Sequence, residues 1–307
     1  MDKKDHTPNN FTISVESRKE LIKSVLRGFI YPVLTWFMNK RLSSVYSWSA
    51  KYNKLYLGQR GNDYSAHRKK INKYSGVSGK TLLIVGCGTG GDLDSWVKYK
   101  PEKIIAIDLF NYTKAWEMQA QYFLRKYNVD VEFIQADLTD LSIISNESID
   151  IIGSDAVFEH LKEFDKCLQE MKRVLSKDGL LYSTFGPLWN CWGGDHISGS
   201  DSFNNGYNHI LLDKSDYINY LNSFGEYNHD SNDGRTWIYN DLFSYYKPSD
   251  YIQSLEDLGF SFSWKSVILD PRSIKFLNDK GFEERLTKKG LTDEELIISG
   301  MTIIVKK

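Results

Sequence analysis

From Lys80 to Phe185 the chain alternates short apolar runs with stretches of helical periodicity, and no other feature restricts its architecture so strongly. TLLIVG (81–86), KIIAID (103–108), VEFIQA (131–136), IDIIGSD (149–155) and GLLYSTF (179–185) read as buried strands, being too short for helices. Helical patterns fall around 92–99, near 113–127 and over EFDKCLQEMKRVL (163–175). Successive β-then-α units imply a doubly wound, mostly parallel α/β sheet with helices on both faces. After Pro187 the alternation stops. Residues 187–247, rich in Gly, Asn, Asp and aromatics, read as an insertion of loops and short helices after the fifth strand. A helix PSDYIQSLEDLGF (248–260) and strands FSFSWKSVIL (260–269) and MTIIVKK (301–307) close the chain.

Ahead of this body lies a different texture. Residues 1–80 carry sixteen Lys+Arg against five Asp+Glu, a net of +11, although the whole chain sums to −1. That sum excludes the basic character of a general nucleic-acid coat, and the local excess suits either an anionic surface or ligand or a solvated helix face. The first ten polar residues read as disordered. From Glu16 the pattern is helical, with Pro32 expected to end or kink it. A second helical stretch, FMNKRLSSVYSWSAKYNKLY, and a basic segment HRKKINKY (67–74) follow. The expected division is a basic helical extension over 1–78 and a main domain over 79–307. The apolar run Phe29–Met38 spans ten residues, where a bilayer needs about twenty. Cys87, Cys167 and Cys191 are odd in number and far apart, and MDKKDHTPNN is not a secretory leader, so a cytoplasmic location is expected.

The chemistry concentrates at strand ends. Gly86-Cys87-Gly88-Thr89-Gly90-Gly91 links the first main-domain strand to a helix, where glycines admit a nucleotide and helix N–H groups are free. Asp108 ends the second strand 22 residues after Gly86, placed to accept from a ribose diol. Both features fit NAD or S-adenosylmethionine. ADLTDL (136–141) then puts Asp137 at the end of strand three, within reach of an adenine amine. SDAVFEHL (154–161) puts Asp155 at the end of strand four and Glu159-His160 a turn later. Neither stretch has a role in an NAD-dependent oxidoreductase, the alternative enzyme class.

Together IVGCGTG, IAID, ADLTDL, SDAVFEHL and EMKRVLSKDGLLYSTF resemble class I S-adenosylmethionine-dependent methyltransferases, over roughly residues 79–186. The resemblance implies a seven-stranded Rossmann-like sheet whose last strand is antiparallel, with S-adenosyl-L-methionine as cofactor. It implies that Gly86, Cys87, Gly88 and Gly90 line the methionine part, Asp108 and Leu109 the ribose, and Asp137 and Leu138 the adenine. Asp155 would face the reacting centre. The family's usual acid two residues before the first glycine is Ile84 here, and Asp92 is the candidate to replace it.

A hydroxyl acceptor needs a base, and His196, His160 and Asp155 are the catalytic candidates. His196 lies in GPLWNCWGGDHISG (186–199), where a ligand-facing loop should emerge. The insertion's rings, among them Trp189, Trp192, Trp237 and Tyr245, suit sugar recognition beside Asn and Asp. Its layout is similar to bacterial methyltransferases of surface-polysaccharide synthesis. The expected acceptor is a small molecule, foremost a sugar or glycan-precursor hydroxyl, with an anionic group compatible with the basic front end. No metal is expected, because Cys191, His196 and His209 match no common zinc spacing. A nucleic-acid or other macromolecular acceptor is the alternative. SDAV stands where amino-directed DNA methyltransferases have [DNS]PP[YF], and no nucleic-acid partner is expected. Residues 17–41, with Lys19, Lys23, Arg27, Lys40 and Arg41 beside an apolar face, fit a lid over the cleft or a peripheral membrane contact.

Overall fold

A computed structural model describes residues 4–13, 26, 29–30, 32–34, 36–37, 40, 51–58, 64–228, 233–277 and 280–307. Its centre is one eight-stranded sheet. The strands are β1 (Lys54–Leu57), β2 (Thr81–Val85), β3 (Lys103–Asp108), β4 (Asp130–Gln135), β5 (Ile149–Asp155), β6 (Leu175–Phe185), β7 (Ser261–Leu269) and β8 (Ile298–Lys306). They lie in the order β1-β7-β8-β6-β5-β2-β3-β4. Every pairing is parallel except those of β8 with β6 and with β7.

The five main-domain strands and the antiparallel final strand stand as expected, and the sheet gains an eighth member. KLYL (54–57), read from sequence as the tail of a helix, is a strand paired with β7. Its burial alternates as a half-covered strand's does, with Leu55 and Leu57 inward. The helix expected over 92–99 shortens to a 3₁₀ turn, Gly91–Leu93, and Asp94–Val97. Between β4 and β5 the described chain makes turns only. The opening residues, expected to be disordered, are held: His6 N–H donates to Asn111 O (2.7 Å), Ala115 N–H donates to Thr7 Oγ1 (3.2 Å), and Phe11 packs on Tyr112 and Trp116. One docked aromatic ring anchors the strap that polarity alone suggested was loose.

The described residues of the helix expected over 17–41 are helical; the rest of it, and residues 41–50, lie outside the described residues. HRKKINKY forms most of helix Tyr64–Ser75. Two apolar layers sandwich the sheet. One gathers Leu83, Ile152 and Phe185 with helices Phe164–Val174 and Pro248–Asp257; the other gathers Leu82, Ile104 and Ile151 with Trp96, Phe123 and Ile71. The order of strand addition reverses beside β2, since β3 and β4 are laid down on one side of it and β5 on the other. Ligands of open α/β sheets bind at the carboxyl ends beside such a switch.

Candidate active site

Two cavities lie along the carboxyl edge of the sheet. The smaller, about 300 Å³, sits over β2 to β5 and is lined by Gly86, Gly88, Asp108, Leu109, Asp137 and Leu138, with Ala156, Val157 and His160. Of the nine residues assigned to the cofactor from sequence, six therefore face one space. Cys87 packs beside the cavity, its Sγ contacting Gly88 O, and burial pushes its thiol well up. Gly90 turns beneath it at φ 85°, where a Cβ would lie 2.8 Å from Phe133, so this glycine answers to packing. Trp116 stacks on the same Phe133 ring and donates from Nε1 to Gly88 O (2.7 Å), holding the turn from below.

Asp108 accepts from Gly88 N–H on Oδ2 (2.7 Å) and from Phe110 N–H on Oδ1 (2.9 Å). Each carboxylate oxygen keeps a further lone-pair direction, which is what a vicinal diol requires. Burial raises the Asp108 pKa, and those two N–H groups oppose the rise. Asp137 accepts from Thr139 N–H and Oγ1–H (2.9 Å each), closing the turn that presents the exposed carboxylate. These residues fit a bound nucleoside: an acid for a ribose, an acid for an amine, and the glycine backbone approached closely.

Asp155 has a different setting. Both oxygens meet Arg68, from helix Tyr64–Ser75, and Oδ1 also accepts from Tyr182 Oη (2.9 Å). Arg68 is fully buried, stacks over Trp96 (4.1 Å) and donates from Nε to Ser95 Oγ (3.1 Å). His67 Nδ1–H donates to the Tyr182 oxygen (2.8 Å). Asp155 is not among the residues lining either cavity. Asp92 lies near this pair, its pKa raised by burial first and by Asp155 next, with Arg68 opposing.

The larger cavity, about 860 Å³, opens where β1, β6 and β7 end and β8 begins, and is lined by Phe185, Gly186, Trp192, His196, Ser198, Asp270, Arg272 and Ser299 among others. His196 holds φ 68°, a left-handed conformation rare outside glycine. The adjoining carboxylate enforces it: buried Asp195 accepts from Ser198 N–H (2.7 Å), Ser198 Oγ–H (2.8 Å) and Tyr217 Oη–H (2.6 Å). His196 Nε2 is buried with no hydrogen-bond partner among the described residues.

The His196 ring stacks on His160 at 4.9 Å, and His160 stacks on Trp237 at 4.4 Å. One histidine thus lines each cavity, and the stack joins a wall of one to a wall of the other. His160 Nδ1–H donates to Leu242 O (2.9 Å), which leaves Nε2 with its lone pair. Burial brings His160 down to about 3, with His196 adding to the effect, and brings His196 down to about 4. Both are neutral bases at physiological pH.

Several participants carried no sequence signal for the place they take. Arg68 hid in a run that reads as a solvated basic face. Trp237 and Leu242, from the insertion assigned to the acceptor, wall the cofactor-side cavity. The Arg272 guanidinium lies 3.7 Å from the Trp192 ring centre, and its Nε and Nη2 donate to Asp270 (3.0 and 2.7 Å). The Glu159 carboxyl is buried, accepts from Gly186 N–H (2.9 Å) on Oε1, and is pushed up to about 7 by burial.

Fold and site together describe an open α/β domain with a cavity at its switch point whose acids and glycine turn suit a nucleoside. Comparison with known proteins sharpens this. Residues 83–183 match the family model of the methyltransferase domain. A malonyl-[acyl-carrier protein] O-methyltransferase of Bacillus cereus is 34% identical over 116 residues, 37% of this chain and 40% of that protein. An (S)-coclaurine N-methyltransferase of Thalictrum flavum subsp. glaucum is 30% identical over 106 residues, 34% of this chain and 28% of that protein. The chain spans less than half the length of the curated relatives it matches. Among solved structures, the geranyl diphosphate C-methyltransferase of Streptomyces coelicolor A3(2) superposes with a TM-score of 0.48 at 13% identity, covering 79% of this chain and 80% of that one. The β2-to-β6 core thus resembles a methyltransferase domain over residues 83–183, a fold whose cofactor is S-adenosylmethionine.

Proposed function

We propose that this chain transfers a methyl group to a hydroxyl of a small polar acceptor, foremost a sugar or glycan precursor, held in the larger cavity. The observation that carries the reading is the His160–His196 stack, which puts one neutral imidazole in the wall of each cavity. Bound S-adenosylmethionine would supply an electrophilic methyl group, with Asp108 on its ribose and Asp137 on its adenine. The chain's own task is to position the acceptor and take its proton. His196 is the proposed base, because its buried Nε2 has no partner among the described residues and Asp195 fixes the loop that bears it. His160, set by Leu242 as a lone-pair donor at Nε2, is the next candidate. Asp155, committed to Arg68 and Tyr182, acts through the electrostatics of the site. Serine hydroxyls, Asp270 and Arg272 beside Trp192 make the larger cavity a polar pocket with a ring in its wall, as polyol recognition requires.

A second reading rests on Arg272. A carboxylate acceptor, like that in the name of the malonyl-[acyl-carrier protein] relatives, needs no base but needs an anion grip, and Arg272 is held flat by Asp270 and Trp192 for such a contact. Single-turnover methylation by His196→Ala divides the two. A fall of about 10²–10⁴ in rate with cofactor affinity kept supports the hydroxyl reading, and an unchanged rate removes it.

A further inference from the structure

The described residues between 26 and 40 are helical, and their large apolar side chains stand in solvent. Phe29 is 76% exposed, Phe37 60% and Trp36 58%, with Leu26, Ile30 and Val33 each more than half exposed. At helical periodicity these six fall within an arc of about 120°. Single exposed apolar residues are ordinary on a protein surface, whereas a continuous apolar stripe marks a binding face. Lys40 Nζ lies 5.7 Å from the Trp36 ring centre, putting a cation at the end of that stripe.

Charge says what the stripe meets. From Leu21 to Asn62 the sequence contains seven Lys or Arg and neither Asp nor Glu. A partner must therefore offer apolar depth and negative charge together. A second copy offers the depth but sets two like-charged segments against each other. The apolar run Phe29–Met38 is half the length that crosses a bilayer, and no helix among the described residues is long and apolar enough to do so. We infer that this segment is a peripheral membrane contact, its apolar stripe entering the head-group region of an anionic bilayer while the flanking cations meet lipid phosphates. The inference is independent of the acceptor proposed above.

Co-sedimentation of the full chain with vesicles tests it. Equimolar phosphatidylglycerol and phosphatidylcholine should retain the protein at least about tenfold better than phosphatidylcholine alone. Raising salt from about 0.05 M to about 0.5 M should reverse most of that gain. Phe29→Glu/Phe37→Glu alters two exposed positions, so its thermal midpoint should match the parent while vesicle binding is lost. Equal pelleting with both vesicle types, or none with either, overturns the inference. So does a lipid-free dimer that Phe29→Glu/Phe37→Glu converts to monomer, since the stripe is then a self-interface.

Discussion

A carboxyl sealed from water at Glu159 couples the site to pH. Its pKa is raised to about 7, so the stabilising contribution of the protonated form is complete below the ordinary carboxylate range and lost as pH climbs through about 7. Across that window Glu159 should take away about 3 kcal/mol that Glu159→Gln, which still offers an acceptor to Gly186 N–H, keeps, against the gain with pH that the buried neutral His160 and His196 give both proteins. Thermal melts of both proteins at about pH 5 and pH 8 give the comparison, and parallel curves would remove Glu159 as the source. Asp108→Ala should weaken S-adenosylmethionine binding by about 2–3 kcal/mol, roughly 30- to 150-fold, with the fold intact. Near-native affinity by calorimetry would take Asp108 out of the cofactor site. Residues such as Gly88, Asp108 and Asp137 could be read from sequence because each sits at a fixed offset from a strand end, and backbone geometry dictates what lies there. Glu159 and Arg68 could not. Their burial depends on which way one helical turn faces, a choice made by Trp96, Tyr182 and Gly186 far away in the chain.

At the scale of elements, Arg68 is the buried cation that ties helix Tyr64–Ser75 to the acid at the end of β5. His67, Arg68 and Ile71 form its buried face, and Arg68 meets an acid, a hydroxyl and an indole at once. Removing one partner of a buried ion pair strands the other, so Arg68→Ala should cost about 3–5 kcal/mol in urea unfolding. Adding Asp155→Ala to Arg68→Ala should cost less than the two single changes summed, and additive losses would mean the pair is not the link. The strand alternation of 81–185 was legible because strands buried on both faces are almost purely apolar. β1 was not: four residues of KLYL follow a helical pattern without a break, and only pairing with β7, some two hundred residues later, makes them a strand. The insertion's role was legible only in part. Aromatic density pointed to ligand recognition, yet Trp237 reaches the cofactor side. Trp237→Ala should lower cofactor affinity about tenfold, and an effect confined to acceptor KM would return that residue to the acceptor site alone.

For the whole molecule, the sheet's carboxyl edge divides the labour. β2 to β5 present the nucleoside-shaped cavity, while β1, β6, β7 and β8 present the larger one. Cofactor at about a hundred times its dissociation constant should stabilise the folded chain by about 2.7 kcal/mol, visible as a rise of several degrees in melting temperature. β8 makes the same division temporal. It lies between β6 and β7, so β7 and β1 join the sheet only through residues 298–306. On the ribosome, strands β2 to β6 are complete once Phe185 has emerged, but Trp237 and Leu242, which wall the cavity over them, come later. The larger cavity waits longer still, because β7 and β1 join the sheet only after β8, so of the two spaces the one proposed for the donor is walled first.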